Sequence, residues 1–155
     1  RPRDIVYFVK TALGNAIKHS RSLVEEKDIL EAEKAYSVYA VDSLLAEDLS
    51  HGGTMKKLLY EFMGQSIVLN RIDLEALLAK AGIVEIEFDH SIEQLCKLSF
   101  LGMETRRGEF KFIEDPADFK RIDALSKNLC GVKRRYRLNS AFHSYLEVAE
   151  SLLPA

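Results

Sequence analysis

The chain has 155 residues and a formal net charge of −2; 47% of its residues are hydrophobic and 30% are charged, with three prolines and no tryptophan. This composition is typical of a mainly helical globular protein of one domain or two small ones, and it excludes a disordered chain. The charge argues against a protein dominated by attraction to nucleic acid, and no apolar run approaches the roughly 20 residues that cross a bilayer, so we expect no membrane partner.

The cysteines and the first residues indicate the setting of the chain. Cys96 and Cys130 lack CxxC spacing, and two free thiols favour a cytoplasmic location. The sequence starts without methionine and directly at a helix start. We therefore expect a fragment of a longer polypeptide.

Two helices are predicted first along the chain. The first runs from Asp4 to about Lys18 and repeats apolar residues at helical spacing; these are Ile5, Val9, Leu13, Ala16 and Ile17. The second has an acidic first turn at 25–28, which suits the helix dipole, and its wide apolar surface predicts contact with two neighbours. The breaker "SHGGT" at 50–54 is the predicted boundary between a unit at 1–50 and a unit at 54–155.

The second unit opens with three predicted helices and short extended segments. A helix over 55–63 precedes the β-prone "SIVL", and a helix capped by Asn70 or Asp73 ends at Gly82. The alternating "IVEIEF" predicts an extended segment over 83–88. The third helix is expected to be capped by Asp89 or Ser91 and terminated by Gly102.

A hairpin signal follows the third helix. "METRRGEFKFIED" reads as two strands joined at Arg107-Gly108, with Phe110 and Phe112 on one face. Helix, strand, helix, helix, hairpin is the order of a winged helix. A helix over 116–129, an extended "RRYRL" and a last helix over 140–152 complete the predicted fold, which is mainly α with a small β-hairpin.

The opening residues "RPRD" pose an electrostatic problem. A helix start carries partial positive charge and free amide donors, so arginines are unfavourable there unless an anion is present. A phosphate would satisfy both the guanidinium groups of Arg1 and Arg3 and the free amides. The alternative is that Asp4, or an acidic residue of a neighbouring segment, pairs with these arginines and no ligand is involved.

Several stretches carry a family resemblance. "RPRDIVYFVKTALGNAI" followed by "VEEKDILEAEKAY" resembles the last two helices of the helical lid of AAA+ ATPases, and especially the initiators of the origin-recognition class, whose lid precedes a winged helix. The same stretches, together with "AEKAYS" and the ending "YRLNSAFHSYLEV", are similar to the C-terminal part of a group of bacterial P-loop ATPases. The middle of the chain matches by pattern more than by identities.

The resemblance implies a helical lid fragment followed by a winged-helix domain. It places Arg3 at the sensor 2 arginine, which reaches the terminal phosphates of ATP, with Arg1 beside it; the glycine that usually precedes this motif would lie before residue 1. The implied cofactor is ATP with Mg in the intact parent protein. Because the chain has no GxxxxGK[ST], the fragment alone is expected to bind no cofactor and to have no activity, with an upstream ATPase core as its partner.

A nucleic-acid role is the second hypothesis. The third helix is a poor recognition helix because Asp89 and Glu93 repel phosphates and only Lys97 attracts them. Phosphate contacts are predicted instead from the wing tip and from a late basic cluster; the candidates are Arg106, Arg107, Lys133, Arg134, Arg135 and Arg137. DNA is one possible partner of the basic cluster. The alternatives are that the cluster pairs with the acidic "VEIEF" segment or the acidic second helix, or that it docks on the ATPase core.

Catalytic and metal sites lack support in the sequence. The four histidines, His19, His51, His90 and His143, have no metal-ligand spacing. Cys96 is expected in the core, and His143 is expected to pair with Glu147 one turn later. The leading hypothesis is therefore a non-catalytic C-terminal region of a P-loop ATPase, with a nucleic-acid-binding regulator or an oligomerisation and effector-docking module, through self-association or a protein partner, as alternatives.

Overall fold

The computed structural model describes the backbone of residues 2–47 and 53–149, and side chains from Asp4 onward within those ranges. The fold is mainly helical with a small four-stranded antiparallel sheet, which confirms the predicted class. The described α-helices are α1 (Pro2–Lys18), α2 (Glu26–Glu47), α3 (Thr54–Phe62), α4 (Arg71–Lys80), α5 (Phe88–Lys97), α6 (Phe119–Cys130) and α7 (His143–Leu146). The strands are β1 (Val68–Leu69), β2 (Leu101–Arg106), β3 (Glu109–Lys111) and β4 (Tyr136–Leu138).

The helices α1 and α2 form a pair joined by a short turn. Aromatic rings hold their faces together: Tyr7 stacks on Tyr39 at 4.5 Å between centroids, and Phe8 meets Tyr36 edge-on at 6.3 Å. The turn is fixed by Asp28, whose fully buried carboxylate accepts a hydrogen bond from the Glu25 amide and pairs with Arg21. An acidic side chain at this position satisfies a free amide of the first turn and suits the helix dipole.

The helix α2 contacts two neighbours, as its wide apolar surface predicts. It packs on α1 through a surface that includes Tyr36 and Tyr39, whereas Val41 and Leu44 belong to the main hydrophobic core. On this second side, Ser37 Oγ accepts a hydrogen bond from the Tyr145 amide at 2.9 Å. Most of the predicted boundary, 50–52, lies outside the described residues.

The core of the second unit is built from α3, α4, α5 and the inner face of the sheet. Phe62, Phe100 and Phe142 form a continuous aromatic contact, with centroids 5.1 Å and 4.9 Å apart. Cys96 is fully buried in this core, as expected. The large buried area supplies the main driving force for folding of this unit.

The sheet departs from the arrangement that the winged-helix element order suggests. Helix, strand, helix, helix and hairpin occur in the predicted order, but the strand order is β1-β4-β2-β3. The late strand β4 lies between β1 and β2, where Tyr136 faces both Leu69 and Met103. The chain after the wing therefore completes the sheet.

Local signals fixed some boundaries well. Asn70 and Asp73 form a capping box at the start of α4, and Gly82 follows that helix with a φ of +89°. The hairpin turns at Arg107-Gly108 with Gly108 at a φ of +79°. These residue types satisfy free helix amides and left-handed backbone, which is why their positions were predictable.

One predicted segment and both predicted ends of the third helix are wrong. "IVEIEF" is not extended: 85–87 form a 3-10 turn with Ile86 91% exposed, and α5 begins at Phe88, before both predicted caps. No strand of the described sheet lies beside this segment, so its alternation has nothing to pair with. The helix α5 ends at Lys97, and Gly102 lies inside β2 instead of terminating the helix.

The last predicted helix is also much shorter than expected. A 3-10 turn over Ser140–Phe142 leads into α7, which ends at Leu146 because Glu147 adopts the left-handed region with a φ of +47°. The chain then turns back, and the Ala149 amide donates to the Gln65 carbonyl at 2.9 Å. The rest of the predicted helix, 150–152, lies outside the described residues.

Candidate functional site

The start of α1 carries the predicted nucleotide-sensing residues. Arg1 lies outside the described residues, and the backbone of Arg3 lies in the first turn of α1, which begins at Pro2. Proline is well suited to the first position of a helix because it has no amide hydrogen to leave unsatisfied. Asp4, the acidic residue of this turn, is half-buried and has an interaction partner.

An exposed aliphatic stripe follows Arg3 along α1. Its members lie along one side of the helix, and the buried Ala12 and Ala16, seven residues after Ile5 and Val9, lie at the edge of this side. Ile5 is 67% exposed and Ile17 is 73% exposed. The stripe consists of Ile5, Val6, Val9, Leu13 and Ile17. The spacing of these residues correctly predicted the helix, but the apolar face is largely uncovered within the described residues.

A cleft separates the helical pair from the edge of the second unit. Tyr36 and Tyr39 line one wall and Phe112 the other, and the carboxylates of Glu47 and Glu114 lie at its margin. Its volume is about 710 Å³. Tyr36 and Glu47 both have interaction partners. The cleft thus lies between α2 and the segment that follows β3.

The arginines of the late basic cluster point to opposite sides of the sheet. Arg134 points to the inner side, where its guanidinium lies 2.6 Å from the Asp123 carboxylate and 5.3 Å from the Tyr136 ring centroid. Burial raises the pKa of Asp123, but the hydrogen bonds and charges of Lys127 and Arg134 outweigh this effect and hold the pKa below its usual range. Arg134 is therefore committed to an internal ion pair.

Arg135 points to the outer side of the sheet. Its guanidinium donates to both carboxylate oxygens of Glu104 at 2.6 Å and 3.1 Å, and the side chain of Glu104 is only 5% exposed. The hydrogen bonds from Arg135, with smaller contributions from the amides of Gly108 and Arg135, lower the pKa of Glu104 to about 2. The partners of the cluster are thus Glu104 and Asp123, not the acidic "VEIEF" segment or α2.

The remaining predicted cations lie apart from these pairs. Arg137 is exposed on the same side of β4 as Arg135, and Lys133 is exposed in the 3-10 turn before β4. Arg106 and Arg107 are exposed at the tip of the hairpin. Arg135 and Arg137 therefore lie on one side of the sheet, whereas the two arginines at the tip of the hairpin form a separate basic patch.

The acidic side chains of α5 form ion pairs with neighbouring cations. Asp89 pairs with Arg71 at 2.5 Å, and Glu93 pairs with Lys97 at 2.6 Å. Both acidic groups were expected to disfavour phosphate contact. Their partners, Arg71 and Lys97, are engaged in these ion pairs. The helix offers no unpaired positive charge for a DNA groove among these four residues.

Few of the described residues are candidates for a catalytic role. Burial raises the pKa of the Cys96 thiol to about 12, so the reactive thiolate is disfavoured. The His143 ring lies 2.8 Å from the Leu138 carbonyl, not in the expected pair with Glu147. No group of three or more His, Cys, Asp or Glu able to hold a metal occurs within 2–47 and 53–149.

The sequence was also compared with known proteins and structures. Residues 1–45 match a family described as the FunZ-associated C-terminal helical domain. No curated protein and no solved structure matches the chain. The match covers α1 and nearly all of α2, and its description fits a C-terminal accessory region of a larger protein. Within the described residues, no helix combines the length and apolarity needed to span a membrane.

Proposed function

We propose that this chain is the C-terminal accessory region of a P-loop ATPase, in which the helical pair docks on an upstream ATPase core and Arg3 contacts the nucleotide phosphates. The observation that carries this proposal is the exposed aliphatic stripe of α1, which begins within one turn of Arg3. The matched C-terminal helical domain, which spans the same helices, supports an accessory role.

The stripe and the arginine support one docking geometry. Five uncovered aliphatic side chains on one helix form an apolar surface that is stabilised by burial against a partner. Position 3 lies one turn before Val6 and at the edge of the stripe, so a partner that covers Val6 and extends past this edge would reach Arg3. An anion at that place would offset both the arginine charge and the positive end of the helix.

The ATPase core would supply the magnesium site and the main phosphate cradle. The chain contains no P-loop motif, and its described residues contain no metal-binding cluster. Its own contribution is the guanidinium of Arg3, with Arg1 as a neighbouring cation. A planar guanidinium with several donors fits a terminal phosphate well.

The helix α2 supplies a route from nucleotide to the second unit. Because Val41, Leu44 and Ser37 fasten its second half to the core and to α7, a rigid shift of the helical pair must move that side of the second unit or open the cleft beside Tyr39. Phosphate contacts present in one nucleotide state alone would bias this shift.

The test is ATP turnover by the longer protein that carries this region and its ATPase core. Arg3→Ala should reduce turnover by about 10- to 100-fold, the loss expected for a charge-assisted phosphate contact. Lys34→Ala removes an exposed cation from the neighbouring helix α2 and serves as the matched control. Equal turnover in the wild type and the Arg3→Ala protein, with unchanged ATP affinity, would rule out the sensing role.

A further inference from the structure

We propose that the outer face of the sheet binds single-stranded nucleic acid, with Phe110 and Phe112 stacking on bases and Arg135 and Arg137 contacting phosphates. This inference does not depend on the ATPase proposal. It assigns a binding role to two phenylalanines and restricts the basic cluster to the two arginines that share their face.

The strand register defines this face. Gly102 lies opposite Arg137, and Glu104 lies opposite Phe110, so these residues project from the same side of the sheet. The Glu104 amide bonds to the Arg135 carbonyl, which extends the same register by one position. The face thus has two parallel rows, each with an arginine at the β4 end and a phenylalanine at the β3 end.

In each row a side chain from the end covers the central residue. A Cβ atom at Gly102 would lie 2.8 Å from the ring of Phe112, so this ring lies across the glycine. In the other row the Glu104 carboxylate is buried beneath Arg135, whose guanidinium lies 5.9 Å from the Phe110 ring centroid. Both rings are half-buried, which fixes their positions while part of each surface remains accessible.

The charge of the face favours a polyanion. Arg137 is exposed and forms no ion pair with any residue in 2–47 or 53–149. Arg135 is 38% exposed, and its guanidinium retains donors beyond those used by Glu104. Glu114 lines the cleft together with Phe112. The exposed cations of the face are therefore on the β4 side, which attracts a phosphate backbone.

The two aromatic rings favour a single strand. In a duplex the face of each base is already covered by its neighbours in the stack, so no base face is open to Phe110 or Phe112. The bases of a single strand can unstack and turn towards the rings. Aromatic stacking beside a basic track is how sequence-tolerant single-strand binding works.

The test measures fluorescence anisotropy of labelled oligothymidylate and oligouridylate of about 20 nucleotides, and of a duplex of the same length, at about 50 mM and about 200 mM salt. The 155-residue chain should bind at least one single strand more tightly than the duplex, and affinity should fall as salt rises. The preferred single strand identifies the source as DNA or RNA.

Matched variants test the two parts of the face. Phe110→Leu should weaken binding about tenfold because it removes the stacking surface but keeps an apolar side chain. Arg137→Gln should weaken binding several-fold and reduce the salt slope by about 0.7. Tyr60→Leu and Arg121→Gln change an exposed aromatic ring and an exposed arginine elsewhere and should leave affinity within about twofold.

Thermal unfolding of each variant establishes that it remains folded. The proposal is overturned by absence of single-strand binding at low salt, by duplex binding of equal strength, or by a folded Phe110→Leu protein that binds like the Tyr60→Leu control.

Discussion

At the scale of single residues, Glu104 connects the stability of the hairpin with its outer surface. Its buried carboxylate accepts two hydrogen bonds from the Arg135 side chain and further bonds from the amides of Gly108 and Arg135. Because the Glu104 carboxylate is almost fully buried, the loss of Arg135 would leave its charge uncompensated. One carboxylate therefore orders the turn, strand β4 and an arginine of the proposed binding face.

We predict that Glu104 makes the stability of the protein sensitive to acid. Its pKa of about 2 in the folded protein lies below the unfolded value of about 4.3, so its stabilising contribution is complete above the unfolded value. As the pH falls from about 4.3 towards about 2, the unfolded state gains protons first and this contribution, about 2–3 kcal/mol, is lost. Denaturant unfolding at a series of pH values measures this loss.

Glu104→Gln should be less stable at neutral pH and should show a shallower decline in acid. Glu109→Gln replaces an exposed carboxylate on the neighbouring strand and should change the free energy of unfolding by less than about 0.5 kcal/mol. If Glu104→Gln retained the acid dependence of the wild type, the ion pair with Arg135 would not stabilise the folded state.

At the scale of elements, α2 is shared between two packing partners. Tyr36 and Tyr39 contact α1, whereas Val41 and Leu44 belong to the main core, so the helix has no single apolar stripe. The bond from the Tyr145 amide to Ser37 is the polar fixing point of the second contact. A serine is suited to this place because a small hydroxyl can accept the amide without separating the two elements.

We predict that Ser37→Ala loosens α7 from α2. The buried amide of Tyr145 would lose its acceptor, at a cost of about 1–3 kcal/mol. Hydrogen exchange at the Tyr145 amide should accelerate more than exchange in α4. Ser144→Ala removes an exposed hydroxyl from the same helix and provides the control, and equal exchange in the two variants would contradict a fixing role for Ser37.

The elements also separate what sequence patterns can predict from what they cannot. Asn70, Gly82 and Gly108 act through local backbone chemistry, so their turns and caps were predicted correctly. The segment 83–88 has a strand period, but a strand also needs a partner, and pairing is set by distant residues. Likewise, the division of Arg134 from Arg135 was predictable from alternation, whereas their partners Asp123 and Glu104 were not.

At the scale of the whole molecule, the two units differ in how well their apolar surface is buried. The second unit surrounds a continuous core, whereas α1 buries Ala12 and Ala16 and leaves branched aliphatic side chains exposed. Burial of small side chains contributes less free energy than burial of large ones. The helix α1 is therefore expected to be the least stable long helix of the described part.

We predict that α1 opens before the rest of the fold. Native-state hydrogen exchange should give its amides a lower opening free energy than those near Leu74 and Leu78, which are fully buried in α4. In the longer protein, the exchange of α1 should slow because the proposed partner covers its stripe. Equal exchange of α1 in the 155-residue chain and in the longer protein would contradict docking through this face.

The central place of β4 in the sheet has a consequence for the biosynthesis of the protein. During translation, Leu69 and Met103 emerge well before Tyr136, the residue that faces both of them. At a synthesis rate of roughly 5–20 residues per second, the edges of β1 and β2 that later pair with β4 remain unpaired while α6 is being made. A nascent chain arrested before Arg135 should therefore be more prone to edge-to-edge aggregation than one arrested after the whole of β4 has left the ribosome.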